Sequence, residues 1–284
     1  MSPMSATDRD RPIAVFDSGV GGLTVLHELL VALPGEDFVY LGDTARFPYG
    51  DKTQEQLRAF ALEIAEHLLA LDAKLLVVAC GSATAAALPL LRRRLADAAD
   101  DVEVLGVIEP AAELAVEATR SGRIGVLATP ATVASGAFAR AIAAGNPQAH
   151  VESVPCPDLA PIIQSGFPFD ERVVETVRNY VAPLREADVD TVILGSTHYP
   201  LVAPMLQRML GRGVRLVSSG EGVARAVERT LQARELLSDR PVEGDYRFRT
   251  TGDVESFRAL GTRFLQMPLG EVERVVLTPV EVPV

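Results

Sequence analysis

The sequence predicts an α/β fold of two pseudo-symmetric lobes, each a parallel sheet flanked by helices. Three observations predict it. Eight short apolar or β-branched runs, at 12–16, 38–41, 75–79, 104–107, 124–128, 151–154, 191–194 and 214–217, recur along the chain. They are continuous rather than alternating in hydrophobicity, as in strands covered on both faces. Amphipathic stretches separate them, and short loops join the two kinds of segment, the grammar of open parallel sheets. Finally, two segments repeat one pattern: Leu-Leu-Val-Val-Ala runs into Cys80-Gly81-Ser82-Ala83-Thr84, and Thr-Val-Ile-Leu-Gly into Ser196-Thr197-His198-Tyr199-Pro200, each followed by a helix.

The helical stretches are placed by period. Between 53 and 71, Leu57, Phe60, Ala61, Ile64, Leu68 and Leu71 recur at three and four, which lays one face on a sheet. Similar helices are expected near 22–33, 83–98, 110–120, 131–143, 171–182, 201–211 and 221–236. The segments 246–251 and 272–277 read as strands returning to the first lobe. The division expected is 11–102 with 214–284 as the first lobe, 103–213 as the second, and 1–10 as a disordered leader. At 284 residues and 48% hydrophobic content the chain can fill two such cores.

Composition narrows the class. A formal net charge of −11 argues against a nucleic-acid partner, and the one dense basic run, Arg92 to Arg94, falls on a helix face. The two cysteines, Cys80 and Cys156, form neither a disulfide framework nor a zinc pattern. A reducing cytoplasm is the compartment expected. No apolar run reaches the length of a membrane span. Oligomeric state is not legible, because dimerising helix faces look like sheet-packing ones; a homodimer is compatible with the pattern.

Polar turns at strand carboxyl ends are where ligands of such sheets bind. Cys80 follows a strand and opens a helix, a setting whose backbone N–H groups favour a thiolate, with Ser82 and Thr84 in the first turn. A buried small hydrophobe is the alternative reading; for Cys156, between two prolines, it is the favoured one. The glycine-rich run Phe16 to Thr24 lacks the lysine and the spacing of nucleotide motifs. It can instead bring backbone donors, Asp17 and Ser18 to a small ligand, with Asp17 facing an amine. The segment Gly42 to Gly50 reads from spacing alone as a surface loop. His198, at a strand end, is placed for proton transfer or for a structural role.

Together these segments resemble the glutamate racemase family, from about Ile13 to Leu277. The most specific blocks are Phe-Asp-Ser-Gly-Val-Gly-Gly-Leu-Thr at 16–24, Gly-Asp-Thr-Ala-Arg-Phe-Pro-Tyr-Gly at 42–50, Val-Ala-Cys at 78–80, Gly-Val-Ile-Glu-Pro at 106–110 and Thr-His-Tyr-Pro-Leu at 197–201. The resemblance implies a cytoplasmic isomerase that supplies D-glutamate for peptidoglycan without metal or pyridoxal phosphate. It also implies an active site in the interlobe cleft, where two cysteines, one on each side of the substrate, take and give the α-proton. By resemblance Cys80 is the first-half thiol, the one that works on D-glutamate, and the second falls at Ser196. Asp17 and His198 carry over as acid–base neighbours. Ser18, Pro48, Tyr49, Gly50, Gly81, Ser82, Thr129, Thr132 and Thr197 carry over as substrate-binding residues.

Three positions depart from that pattern. Ser196 stands at the second thiol, Gly81 where the family has a substrate-binding asparagine, and Gln164 where a glutamate often lies. An alcohol is a far weaker acid than a thiol, and losing a positioned acid–base group costs about 10²–10⁴-fold. Racemisation is therefore expected to be impaired, and Gly81→Asn to act mainly through binding. The alternatives are one-thiol chemistry on an acid, such as the decarboxylation performed by the similar arylmalonate decarboxylases, or a silent relative that binds a ligand or partner.

Overall fold

The structure is a computed structural model that describes residues 6–96, 102–166 and 170–280. Its strands are β1 (Ile13–Asp17), β2 (Phe38–Gly42), β3 (Leu75–Val78), β4 (Glu103–Gly106), β5 (Arg123–Ala128), β6 (His150–Pro155), β7 (Thr191–Leu194), β8 (Arg215–Ser218), β9 (Tyr246–Thr250) and β10 (Val272–Arg274). They form two all-parallel sheets in the orders β10-β9-β2-β1-β3-β4 and β6-β5-β7-β8. The order β2-β1-β3-β4 repeats as β6-β5-β7-β8, so the halves share one topology and the first carries two further strands. Helices flank both sheets, the α/β architecture expected.

The apolar runs become strands because both of their faces are covered. Along β1, Ile13 and Val15 point into one core while Ala14 and Phe16 point into the other, all fully buried. The second of those cores lies under the helices Gln54–Leu69 and Gly81–Ala96, to which Leu57, Ile64, Leu68, Leu88 and Leu91 contribute. Burying each such side chain contributes roughly 1.5–3 kcal/mol, and cutting Leu68 to Ala would cost about 2–5 kcal/mol. The helix Gln54–Leu69 starts at Thr53 through a reciprocal capping box: the Gln56 N–H donates to the Thr53 hydroxyl at 3.2 Å, and the Thr53 N–H to Gln56 Oε1 at 3.0 Å.

The sheets divide the chain differently from the expected boundaries. β4 (Glu103–Gly106) pairs with β3 in the first sheet, and β8 (Arg215–Ser218) with β7 in the second. The crossings lie one strand later because each half ends on an edge strand before its connecting helix, Ile108–Ala118 or Ser219–Ala233. Of the leader expected to be disordered, Ala6–Arg9 forms a helical turn. It is tied down by Arg9, which donates to the Glu235 carbonyl at 3.1 Å and pairs with Asp239 at 3.1 Å. Residues 1–5 lie outside the described residues. Beyond that turn, the helices Leu159–Gln164 and Val254–Leu265 are not among those expected from the sequence. No helix among the described residues is long and apolar enough to cross a membrane.

Candidate active site

The two sheets present their carboxyl ends to one space. Phe16 pairs with Val78 and Leu127 with Leu194; two residues beyond these pairs stand Ser18 and Cys80 in one lobe, Thr129 and Ser196 in the other. Residues from both lobes line a cavity of about 370 Å³. Asp17, Ser18, Pro48, Tyr49, Gly50, Cys80, Gly81, Ser82, Thr129, Ser196, Thr197 and His198 all face it. Thr132 sits just behind the wall, buried, its hydroxyl 2.9 Å from that of Thr129 and 3.3 Å from that of Ser82. Ser82 and Thr129 hydroxyls are themselves 2.9 Å apart, which makes a three-hydroxyl cluster spanning both lobes.

Asp17 is fully buried, and its Oδ2 accepts the N–H groups of Gly19 at 3.1 Å and Gly22 at 3.0 Å. Two donors of the glycine-rich turn are therefore spent on Asp17 rather than left for an anionic ligand. The turn is further pinned by the Tyr40 hydroxyl, which donates to the Gly19 carbonyl at 2.8 Å. Burial pushes the Asp17 carboxyl above its usual range, and these N–H groups oppose that rise. An ammonium group beside Asp17 would offset the same desolvation.

Cys80 is 5% exposed, and its thiol is pushed up to about 12, by burial first and then by the Asp17 charge. Donors from Ala83 and Ser18 pull the other way and lose. The thiolate expected from a helix amino terminus alone is thus not the resting form. Desolvation outweighs the N–H groups of one helical turn. Cys156 is pushed up to about 12 by burial as well, but it lies in the apolar core and its Sγ donates to the Val154 carbonyl at 3.5 Å. It does not line the cavity.

On the second-lobe side, Ser196 is 8% exposed and its Oγ accepts the His198 N–H at 3.4 Å. The His198 ring lies between Phe47 and Phe264, with centroids 5.5 and 5.2 Å away. Burial drives its pKa down to about 3, so the imidazole is neutral. Gln164 Oε1 accepts from Nε2 at 2.9 Å, which leaves Nδ1 as an acceptor 3.5 Å from the Thr197 hydroxyl. That hydroxyl is also 3.5 Å from Asp17 Oδ1, so a polar chain crosses between the lobes.

Phe47, Asp51, Pro130, Pro157, Ala160, Pro161 and Gly195 also line the cavity and were not singled out from the sequence. The prolines and Ala160 carry no reactive group, so composition offered no signal for them. Phe47 and Asp51 flank the Pro-Tyr-Gly block and could have been found by extending it. The geometry pairs one nucleophile-class side chain, Cys80, with a buried carboxylate, a hydroxyl cluster and a neutral imidazole, parts suited to moving a proton at a small polar ligand.

Residues 21–227 match the family model described as Asp/Glu/Hydantoin racemase. The chain is 45% identical over 267 residues to a glutamate racemase of Geobacter metallireducens, covering 94% of this chain and 97% of that one. In structure it is similar to glutamate racemase isoform RacE1 of Bacillus anthracis, with a TM-score of 0.89, 37% identity and coverage of 94% and 98%. It is also similar to a glutamate racemase of Francisella tularensis solved with D-glutamate, at 0.87, 32%, and the same coverage. With a shared cleft and a match along nearly its whole length, the chain belongs to the Asp/Glu/hydantoin racemase family, as a member of the glutamate-racemase type.

Proposed function

We propose that this chain works on the α-carbon of glutamate, or a closely related amino acid, through the single thiol of Cys80, and that two-sided racemisation is impaired by Ser196 and Gly81. The observation that carries this reading is that Cys80 and Ser196 stand at equivalent strand ends and line one cavity. The family's chemistry needs a proton acceptor on one face of the substrate and a donor on the other. Here only one of those positions holds a thiol; the other holds an alcohol, a far weaker acid.

The substrate ammonium would sit by Asp17, and its charge removes part of what holds the Cys80 thiol at about 12. Binding would thus help to form its own base. The Cys80 thiol first loses its proton to solvent; the thiolate takes the α-proton, leaving the electron pair on the carbon and delocalised into the carboxylate, and the resulting thiol, after swapping its proton with solvent, returns one to the same face. The hydroxyls of Ser82 and Thr129, with Thr132 behind them, can donate to carboxylate oxygens. On the opposite face Ser196 would have to become an alkoxide to act as a base. Its neighbour His198 is neutral and bound to an amide rather than a carboxylate. Single-face exchange of the α-proton is therefore the activity that these residues support best.

Replacing Ser196→Cys tests the reading. Racemisation followed by polarimetry should rise by about 10²–10⁴-fold, the range for one acid–base group. No rise in a variant that still binds glutamate would show that the missing thiol is not what limits the chain.

A further inference from the structure

The cleft wall formed by Phe47 to Asp51 has little regular structure, one short 3₁₀ turn at Tyr49–Asp51, and a second such turn, Thr44–Arg46, precedes it. It is nevertheless tied in place at one point. Asp43, fully buried, lies outside the cavity, yet its carboxylate accepts the Tyr49 hydroxyl, the Arg46 Nε–H at 2.6 Å and the Thr251 hydroxyl at 2.7 Å. Each partner extends the tie. Arg46 pairs with Glu63 on the helix Gln54–Leu69 and stacks 4.0 Å over Phe60. Thr251 follows β9 and accepts the Ala45 N–H at 3.1 Å. One carboxylate thus joins the loop to a helix on one side and to a strand end on the other.

The loop it holds reaches across to the second lobe. Gly50 packs so closely on Thr129 that a Cβ there would come within 3.0 Å of the Thr129 Cβ. Phe47 covers one face of the His198 ring. The wall that meets the hydroxyl cluster and the imidazole therefore depends on a group that touches neither. A charged acceptor with three donors is worth more than neutral hydrogen bonds, and removing it leaves the buried Tyr49 hydroxyl without its partner.

We propose that Asp43 is a positioning residue: through Tyr49, Arg46 and Thr251 it sets the Phe47–Asp51 wall against the second lobe and so controls access to Cys80. The inference rests on the Cys80 cleft being the working site. It does not depend on which acid is the substrate.

The test is the rate at which iodoacetamide alkylates Cys80 and Cys156 in the full chain, followed by peptide mapping, for wild type, Asp43→Asn, Tyr49→Phe and the double variant. Asp43→Asn keeps the shape and weakens the tie; Tyr49→Phe removes one strand of it. Cys80 labelling should rise about 10-fold in each single variant, the worth of one charged hydrogen bond, with Cys156 unchanged. The double variant should label no faster than Asp43→Asn. Unchanged Cys80 labelling in both single variants overturns the proposal. So does a parallel rise at Cys156, which would mean general loosening of the fold. Because labelling needs no substrate, failure of the glutamate assays leaves this result readable by itself.

Discussion

A Cβ placed on Gly81 would stand 2.8 Å from the carbonyl oxygen of Gly195, so the first residue of the helix behind Cys80 meets the turn that presents Ser196 backbone to backbone. The two lobes touch at this point because residue 81 has no side chain. An asparagine here, expected from the family pattern to restore binding, would first have to displace a backbone carbonyl.

Gly81→Ala adds only that Cβ. Alanine gains at most about 1 kcal/mol of helix propensity over glycine, while overpacking against a fixed group costs about 1–3 kcal/mol. The variant should therefore be less stable than wild type in urea unfolding, and Gly81→Asn should share the loss. A raised midpoint for either would show that the lobes separate freely at this contact.

The rate of α-proton exchange should follow the thiol. With Cys80 held near 12, the thiolate fraction of the free protein grows about tenfold per pH unit well below that value. Exchange measured at limiting substrate between pH 6 and 8.5 should climb steadily. It should show no step near 6.5, since His198 is neutral throughout. A bell with an inflection near 6.5 would assign His198 a proton-transfer role that its burial denies.

His198 should be visible instead in stability. Its folded pKa, about 3, lies below the ordinary 6.5. Between those values the unfolded chain binds a proton that the folded one refuses, so stability contributed above pH 6.5 is lost as pH falls toward 3. The slope is about 1.4 kcal/mol per pH unit for one group. Asp17, whose pKa is raised, works in the opposite sense in acid. The useful quantity is therefore the wild-type curve minus that of His198→Gln, by urea unfolding from pH 7 to 4. An equal decline in both proteins would mean that the imidazole takes up a proton in the fold.

Much of this site was legible because its residues sit where the sequence breaks its own rhythm. Asp17, Cys80, Thr129 and Ser196 each follow an apolar run and precede a helix, and a parallel sheet sends all such positions to one edge. What was not legible depends on contacts far apart in the chain. Asp43 meets Thr251 from 208 residues away, and His198 meets Gln164 from 34. The helix Leu159–Gln164 is six residues long and holds a proline, too short to show a period. In Val254–Leu265, Gly261 interrupts the apolar face. The state of the Cys80 thiol also escaped the sequence. The helix terminus that favours a thiolate is local, whereas the burial and the Asp17 charge that oppose it arise only when β1 and β3 pair.

The central claim is that Cys80 works alone on one face of the substrate. Solvent deuterium incorporation at the α-carbon, followed by proton NMR on each enantiomer of glutamate separately, tests it most directly. D-glutamate should incorporate deuterium with its configuration retained, and Cys80→Ala should abolish the exchange. L-glutamate, whose α-proton would face Ser196 under this account, should exchange slower by about 10²–10⁴-fold. Equal exchange of both enantiomers, or exchange from D-glutamate that survives Cys80→Ala, would contradict the claim.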